Sequence, residues 1–598
     1  MRIILSLLLG GALAFYLAAF LAWTEQKFNI IKSSRLHHSL VGTLILLLGI
    51  SGMFLWKSWL GDPLYIFTST FSIGAGIGII LHHLLSESFI FSEKIEKEFI
   101  HRHEYQIERL LEILPGALTW LALTSPIWLS FTLPFAVAYI ILLADIYWLF
   151  NACKIAILIV VGYKKMKKAK QVNWFKKLQT DFPKEWDNYY HLLVIPAYKE
   201  SLEVLTPAFD AIINSTYDKK KVFLGISFEE KSPADNIVQS KKYLDKKGRG
   251  IGGVLLTTHP HGLPGELTGP ATNRNWLINY SLKEFQRLGI KPEQVLVTTL
   301  DADFVIDSQF LAGVLHRYLS TPAQIRDKRS FTGAFLYNNN YWQAPAFARL
   351  VASGTAYWQL SEMVGSDKYI NFSSLSMNLK SLLDIGLWIP NKVNDDSGFY
   401  WKAYYHFNGD YKVLPHYLPI SADAVLDENM WRTIENQYLQ LKRWAYGVEH
   451  VPFIIRQYFS NKNLDFWDKT DKLIFIMWSY MKWGTLALFI TFAGMIVPLI
   501  NQNYSQSVVA YNLPVLSSWI LTFAFLGLLA TVFIHEKTVP IRPKNWSFFQ
   551  KLWSYLQWIL IPFILITIAS IPAIDAQTRL MFGKYMEFRT TNKARISR

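Results

Sequence analysis

Cysteine is nearly missing from this chain. Of 598 residues only Cys153 is a cysteine, which excludes an intramolecular disulfide and any cluster of thiolate metal ligands. The lone thiol falls in an apolar run and reads as a packing residue. Charge is also sparse: Asp, Glu, Lys and Arg make up 18% of the chain against 51% hydrophobic residues, too apolar a balance for a purely soluble protein. Acidic residues are the scarcer sign, 45 against 60 Lys and Arg, for a net charge of +15. Such an excess could serve a nucleic acid, but cytoplasmic loops of membrane proteins carry it too, and no nucleic-acid partner is expected. Internal repeats and low-complexity linkers are missing as well, and the length calls for more than one domain.

What the chain has in quantity is long apolar runs. Residues 4–23 form an uncharged stretch long enough to cross a bilayer. It is longer than a signal-peptide core and lacks a small-x-small cleavage site, so it reads as a retained span. Further spans are expected at about 40–60, 64–84, 113–131 and 134–161, with an amphiphilic cytoplasmic segment over 85–112. His82 and His83, at the end of the third span, read as interfacial residues. Five lysines between Lys164 and Lys170 follow the fifth span and place the next segment in the cytoplasm by the positive-inside rule. Counting back puts the N-terminus outside and the basic 24–39 loop inside. Apolar spans resume at about 473–500, 513–534 and 552–574, with a basic connector over 537–551. Three crossings would leave the tail from Arg579 to Arg598 outside, yet it carries six basic residues. Either one of those segments does not cross or one hides an extra turn.

Between the two apolar regions, strand-like runs at 191–196, 222–228, 253–258 and 294–300 alternate with helical stretches, the pattern of a βαβ sheet. The organisation expected is therefore 1–162 as an N-terminal transmembrane region of about five spans, 163–465 as a cytoplasmic α/β domain, and 466–598 as a C-terminal transmembrane region of about three spans with a basic tail.

Four elements of the central domain carry candidate chemistry. Val295-Leu-Val-Thr-Thr-Leu300 reads as a buried strand running into Asp301-Ala-Asp303. Carboxylates at the C-terminal mouth of such a strand lie where open α/β sheets place ligands. As hard oxygen donors they suit Mg²⁺ or Mn²⁺, which in turn can hold a diphosphate. The plainer alternative is a strand-ending turn. Upstream, Leu193-Val-Ile-Pro-Ala-Tyr-Lys-Glu200 is a strand broken by Pro196. Downstream, Asn394-Asp395-Asp396 leads an aromatic helix. Adjacent carboxylates repel, so one can hold or take a proton near neutrality, although either could simply cap the helix. Last comes Gln440-Leu-Lys-Arg443-Trp444, in a helical run ahead of a span. Arg443 offers a planar fork for phosphate and Trp444 a flat face for a sugar ring. The alternative for this pair is an interfacial anchor.

In this order and spacing, Pro-Ala-Tyr-x-Glu, Asp-x-Asp, an acidic pair and Gln-x-x-Arg-Trp, followed by membrane helices, resemble the membrane-integral family 2 glycosyltransferases, the group of the cellulose and hyaluronan synthases. The motifs cover about 190–450. The resemblance implies a GT-A (nucleotide-diphospho-sugar transferase, Rossmann-like) domain inserted between bundles of transmembrane α-helices. It implies an inverting hexosyltransferase in a multi-pass cell-membrane protein whose catalytic domain is cytoplasmic. Asp303 with Asp301 would bind the metal, Mg²⁺ or Mn²⁺, and the nucleotide diphosphate. Asp396 would be the general base and Asp395 would tune it. Gln440, Arg443 and Trp444 would hold diphosphate and acceptor, and Pro196, Ala197, Tyr198 and Glu200 would shape the nucleotide pocket.

Two places depart from the family pattern. The acidic pair after the second strand reads Glu229-Glu230, so Glu229 is the candidate nucleotide contact and a UDP-sugar is only the default donor. Where relatives carry a Lys near Ala-x-Asn, this chain has Pro270 ahead of Ala271-Thr-Asn273, and Arg274 is the residue at hand to supply the charge. The leading expectation is transfer from a nucleotide-sugar to a glycan at the cytoplasmic face, as in a processive polysaccharide synthase. Alternatives are single transfer to a polyprenyl-phosphate or glycolipid, a non-catalytic glycan or nucleotide sensor, and a transporter with a regulatory domain.

Overall fold

A computed structural model describes residues 93–365, 368–370 and 372–589, together with helical stretches at 44–49 and 71–79 and residues 10, 14, 68 and 69. Most of the first three expected spans and the tail beyond 589 lie outside the described residues. Within them, five helical runs are long and apolar enough to cross a membrane: Glu104–Ser130, Pro134–Gln171, Phe466–Ile500, Val508–Thr538 and Phe548–Met581. The last is not one continuous α-helix, since a 3₁₀ stretch, Gln557–Leu560, and a π stretch, Leu565–Ser570, interrupt it. The lysine run 164–170 belongs to the second of these helices.

Packing divides the chain into two compact units. The first comprises Met1–Ile140, Val451–Ser479 and Ala493–Tyr511. In its described part Leu111 packs on Val451 and Ile455, Arg456 pairs with Glu104 and Glu108, and Asn501 Nδ2 donates to Ser130 O at 3.1 Å. The second comprises Ile141–His450, Tyr480–Phe492 and Asn512–Arg598 and contains an eight-stranded mixed sheet in the order β3-β2-β1-β4-β7-β6-β8-β5.

The sheet is built from Tyr190–Ala197 (β1), Val222–Glu229 (β2), Gly253–His259 (β3), Val295–Thr299 (β4), Val305–Ile306 (β5), Arg329–Leu336 (β6), Leu375–Asn378 (β7) and Lys412–Ser421 (β8). The four strands expected from the sequence are its first four. β3, β2, β1 and β4 run parallel and β7 joins β4 antiparallel. Every residue of β2 and β4 is buried, which is why β4 reads as an unbroken apolar or β-branched run and β2 as a mostly apolar one, interrupted only by Gly225, Ser227 and Glu229.

Helices Leu202–Ile213 (α1), Ala234–Lys247 (α2), Pro270–Arg287 (α3) and Phe310–Leu319 (α4) accompany the sheet. Downstream follow Asp395–His406 (α5), Met430–Ala445 (α6) and Ile571–Met581 (α7). From β1 the chain moves outward to β2 and β3, then returns to the other side of β1 as β4. The strand order thus reverses between β1 and β4, and the crevice beyond their C-terminal ends is the ligand position of such a sheet.

α3 lies close on β2 at Gly225. A Cβ there would stand 2.8 Å from Leu277 Cδ2 and 3.3 Å from Leu193 O. Gly225→Val should therefore push α3 off the sheet and destabilise the protein by about 1–3 kcal/mol. Thermal unfolding of the purified protein in detergent measures the loss, and an unchanged midpoint would refute this account of the packing.

Candidate functional site

Beyond the ends of β1 and β4 the chain gathers acidic and basic groups from separate segments. Leu300 N donates to Val194 O at 3.0 Å, and a tight turn, Phe304 N to Asp301 O at 3.0 Å, then presents Asp301. Its side chain is 34% exposed. Asp303, two residues on, is 1% exposed, and its Oδ2 accepts from Asp423 N at 2.7 Å. The two carboxylates of Asp-x-Asp thus differ: Asp301 faces the crevice, whereas Asp303 braces the chain leaving β8.

Asp395 and Asp396 open α5, with Asn394 at the N-cap. Neither aspartate uses its side chain for capping as the plainer reading of the sequence would have it. Arg274, on α3, donates from Nη1 to Asp395 Oδ2 at 2.7 Å and to Asp396 Oδ1 at 2.9 Å. Its Nη2 lies 3.5 Å from Asp301 Oδ1. The second oxygen of Asp396 accepts from Ser373 N at 3.0 Å, and Ser373 has φ 58°, a left-handed conformation that costs energy in a non-glycine residue. Asp396 retains 19% side-chain exposure while Asp395 is buried, so Asp396 is the more accessible of the two.

Burial raises the Asp395 pKa to about 7; Arg274 opposes that shift, and Asp396 and Asp301 add to it. Burial works against the Arg274 charge, but the three carboxylates outweigh it and hold its pKa above the ordinary value.

The turn at Asn394 is held from three sides. Its N–H donates to Glu449 Oε1 at 2.8 Å, its Nδ2 donates to Arg443 O at 2.7 Å, and His450 Nε2 donates to its carbonyl at 2.7 Å. His450 comes this close because residue 398 is glycine: a Cβ there would lie 2.7 Å from the imidazole Cε1. Burial lowers the His450 pKa to about 3, leaving the ring neutral with one N–H to give. These contacts fasten the acidic turn to α6 and the short 3₁₀ stretch Tyr446–His450. α6 itself docks on α7, where Tyr438 Oη (2.9 Å) and Lys442 Nζ (2.5 Å) reach Asp575 Oδ2.

Gln440, Arg443 and Trp444 diverge. Arg443 lies within electrostatic range of the acidic cluster; burial lowers its pKa, and Asp301, Asp395 and Asp396 oppose the shift. Its guanidinium carbon lies 4.6 Å from the centre of the Phe588 ring. The same ring lies over Gly269, where a Cβ would stand 3.3 Å from Phe588 Cγ. Trp444 packs into an apolar cluster with Ile159, Leu441 and Trp558. Gln440 Oε1 accepts from Gln437 Nε2 at 3.0 Å. Of the three, only Arg443 is brought to the carboxylates.

At the other end of the crevice Glu200 Oε2 accepts from Tyr198 N at 2.7 Å, which fixes the turn after Pro196 and Ala197. Glu229 is buried: Asn273 Nδ2 donates to its Oε1 at 2.8 Å, and His259 Nδ1 stands 3.5 Å from its Oε2. Burial raises its pKa. Its carboxylate is turned inward, and Glu230 next to it accepts from His261 N at 2.8 Å.

The donor set suits a divalent cation shared with a substrate. Such ions commonly take one or two carboxylates and complete their shell with phosphate oxygens and water. Asp301, exposed at the crevice, is a hard donor of that kind, and Asp303 lies behind it. Among the described residues no group of three or more His, Cys, Asp or Glu side chains could hold a metal ion unaided.

Glu449 gives a pH test of this arrangement. Burial raises its pKa to about 7, with Lys392 and the Asn394 N–H opposing. The folded form therefore keeps a proton that the unfolded form, near 4.5, has already lost. That contribution to stability is fully present below the unfolded pKa and is lost as pH rises to about 7. Glu449→Gln should flatten the fall in the thermal midpoint between pH 5 and pH 7. A slope equal to that of the wild type would show that Glu449 is ionised in the fold.

No protein-family model matches the chain, and no curated protein does. Solved structures do. One is the mannosyltransferase PcManGT from Pyrobaculum calidifontis with GDP-Man and Mn²⁺, at 12% identity and TM-score 0.38, covering 72% of this chain and 100% of that one. Another is TarS 1–349 from S. aureus with UDP-GlcNAc, at 13% identity and TM-score 0.32, covering 59% and 93%. A third is GalNAc-T7 with UDP, GalNAc and Mn²⁺, at 11% identity and TM-score 0.29, covering 49% and 57%. All three are glycosyltransferases by name. At such scores the likeness carries no weight for the chemistry of this chain, which its own residues must supply.

Proposed function

We propose that the protein is an inverting glycosyltransferase of GT-A architecture that moves a sugar from a nucleotide-diphosphate donor to a glycan acceptor at the cytoplasmic face of a membrane. The observation that carries this reading is the convergence, at the strand-order reversal, of a half-exposed Asp301, a reachable Asp396 and Arg443 from three distant parts of the chain. A nucleotide-sugar transfer needs those three kinds of group together. We propose 1–162 and 466–598 as the membrane regions and 163–465 as the cytoplasmic catalytic domain.

In this reading Asp396 accepts the proton of the acceptor hydroxyl as its oxygen attacks the anomeric carbon. The new C–O bond forms on the face opposite the bond to the diphosphate, and that bond breaks with its electron pair leaving on the nucleoside diphosphate. Asp396 suits the role because its two oxygens are oriented by Arg274 and by Ser373 N, so little reorganisation is needed. Arg443 meets the charge that develops on the leaving group, and partial exclusion of water strengthens that interaction. Asp301, presented by the turn that Asp303 braces, would hold Mg²⁺ or Mn²⁺, which when bound neutralises diphosphate charge. Tyr198 and Glu200 shape the nucleotide end. Glu229 acts there from behind, through Asn273 and His259, and Glu230 is the acidic side chain at the surface.

Full-length protein in lipid, offered labelled UDP- and GDP-sugars, should incorporate sugar from one donor class. Asp396→Asn should lower kcat roughly a hundred- to ten-thousandfold with donor binding kept. Normal turnover in that variant would remove Asp396 as base. EDTA should abolish transfer and Mn²⁺ or Mg²⁺ restore it; full activity in EDTA would remove the metal. Product size separates repeated from single addition. A long polymer means a processive synthase, and one sugar on a lipid means a lipid-linked acceptor.

A further inference from the structure

Asp301 and Asp396, which the proposed reaction gives different partners, are held by one side chain. Arg274 is 1% exposed, so its guanidinium cannot enter the crevice and touch donor or acceptor. Its polar reach ends on carboxylates: Asp395 at 2.7 Å, Asp396 at 2.9 Å and Asp301 at 3.5 Å. Its fourth contact is Trp388, whose ring centre lies 5.6 Å from the guanidinium carbon. Trp388 is itself fixed by the residue after Arg274: Asn275 Nδ2 donates to Trp388 O at 3.0 Å, and Trp388 N donates to Asn275 Oδ1 at 3.2 Å. α3 thus carries both the guanidinium and the clamp that steadies the ring against it.

We infer that Arg274 is a positioning residue for the transfer: it fixes the donor-side carboxylate of Asp301 relative to the acceptor-side carboxylate of Asp396, and it supplies the counter-charge that keeps the cluster together in a closed site. The kinetic part of this inference rests on the transferase reading; the ion cluster does not. The chemistry calls for arginine. Its planar fork serves the Asp395–Asp396 pair from one nitrogen and faces Asp301 with the other, whereas a lysine ammonium is a single point of charge on a flexible stem. Displacing a reacting group by about an ångström can cost roughly a hundredfold in rate, so loss of the fork should register in turnover before it registers in binding.

The test uses full-length protein in lipid. Arg274→Lys, which keeps the charge and loses the fork, should lower kcat about a hundredfold while donor KM moves less than about threefold. Arg274→Ala should recover part of its kcat in added guanidinium but none in methylammonium at equal concentration. Wild-type turnover in Arg274→Lys, or a change confined to KM, would overturn the inference. A readout independent of activity covers variants that fold poorly. Arg274→Met should lower the thermal midpoint, because it strands buried carboxylates, and adding Asp395→Asn to the same chain should raise it again. A double variant less stable than Arg274→Met would overturn the cluster. Should the wild type transfer no sugar from any donor, the transferase reading falls, and the midpoint comparison alone then upholds or overturns Arg274 as the group that holds these carboxylates.

Discussion

The crevice end of the sheet depends on one buried ionic contact, the guanidinium of Arg274 among Asp301, Asp395 and Asp396. Three carboxylates gathered at a strand-order reversal would repel one another and carry a large desolvation penalty in a closed site. Arg274 and Arg443 bring two positive charges to those three negative ones. The remainder is a single negative charge, and Asp395, buried and raised to about 7, is where a proton can settle to remove it. The cluster is thus close to neutral without any ligand. This explains how three carboxylates can be gathered at one end of the sheet although one of them is buried and another largely so.

A second constraint acts on the backbone that bears the aspartates. Asn394 uses its N–H, its carbonyl and its side-chain amide to bind Glu449, His450 and the carbonyl of Arg443. The turn carrying Asp396 is therefore tied to the helix carrying Arg443, and that helix, α6, is tied in turn to α7 through Tyr438 and Lys442. Gly398 belongs to the same device, because only a residue without a side chain admits His450 against the first turn of α5.

Much of this frame is legible in the sequence, for physical reasons that also mark where legibility stops. The buried strands announce themselves by unbroken apolar and β-branched runs, and Asp301, Asp395 and Asp396 by standing where such runs or helices begin and end. Periodicity tells which residues of a helix share a face but not what the face meets. Gln440, Arg443 and Trp444 read as a group that holds diphosphate and acceptor, yet Trp444 packs with Ile159 and Trp558 while Arg443 lies within electrostatic range of the carboxylates. The position of Glu229 after β2 points to the nucleotide, but Asn273 and His259 engage it inside. Glu449, His450 and Phe588 give no signal, since each acts through a contact with a remote segment. Arg274 stands between these cases. A missing lysine suggests that a cation is needed there, but only the fold shows three carboxylates around it.

The asymmetry of Asp301 and Asp303 follows from the same balance of charge and exposure. A cation shared with a diphosphate needs a donor it can approach through water, and of the pair only Asp301 offers one, at 34% exposure. Asp303 commits Oδ2 to Asp423 N and its backbone carbonyl to Asn339 Nδ2, which ties the Asp-x-Asp turn to the chain leaving β8. One carboxylate is therefore partly exposed and the other fixes the loop that presents it. Arg274 stands 3.5 Å from the exposed one, too far for a tight ion pair and near enough to hold its charge. At that distance the protein orients Asp301 while its exposed side stays open to water. In the proposed reaction a metal ion arriving with the donor would approach Asp301 from that side.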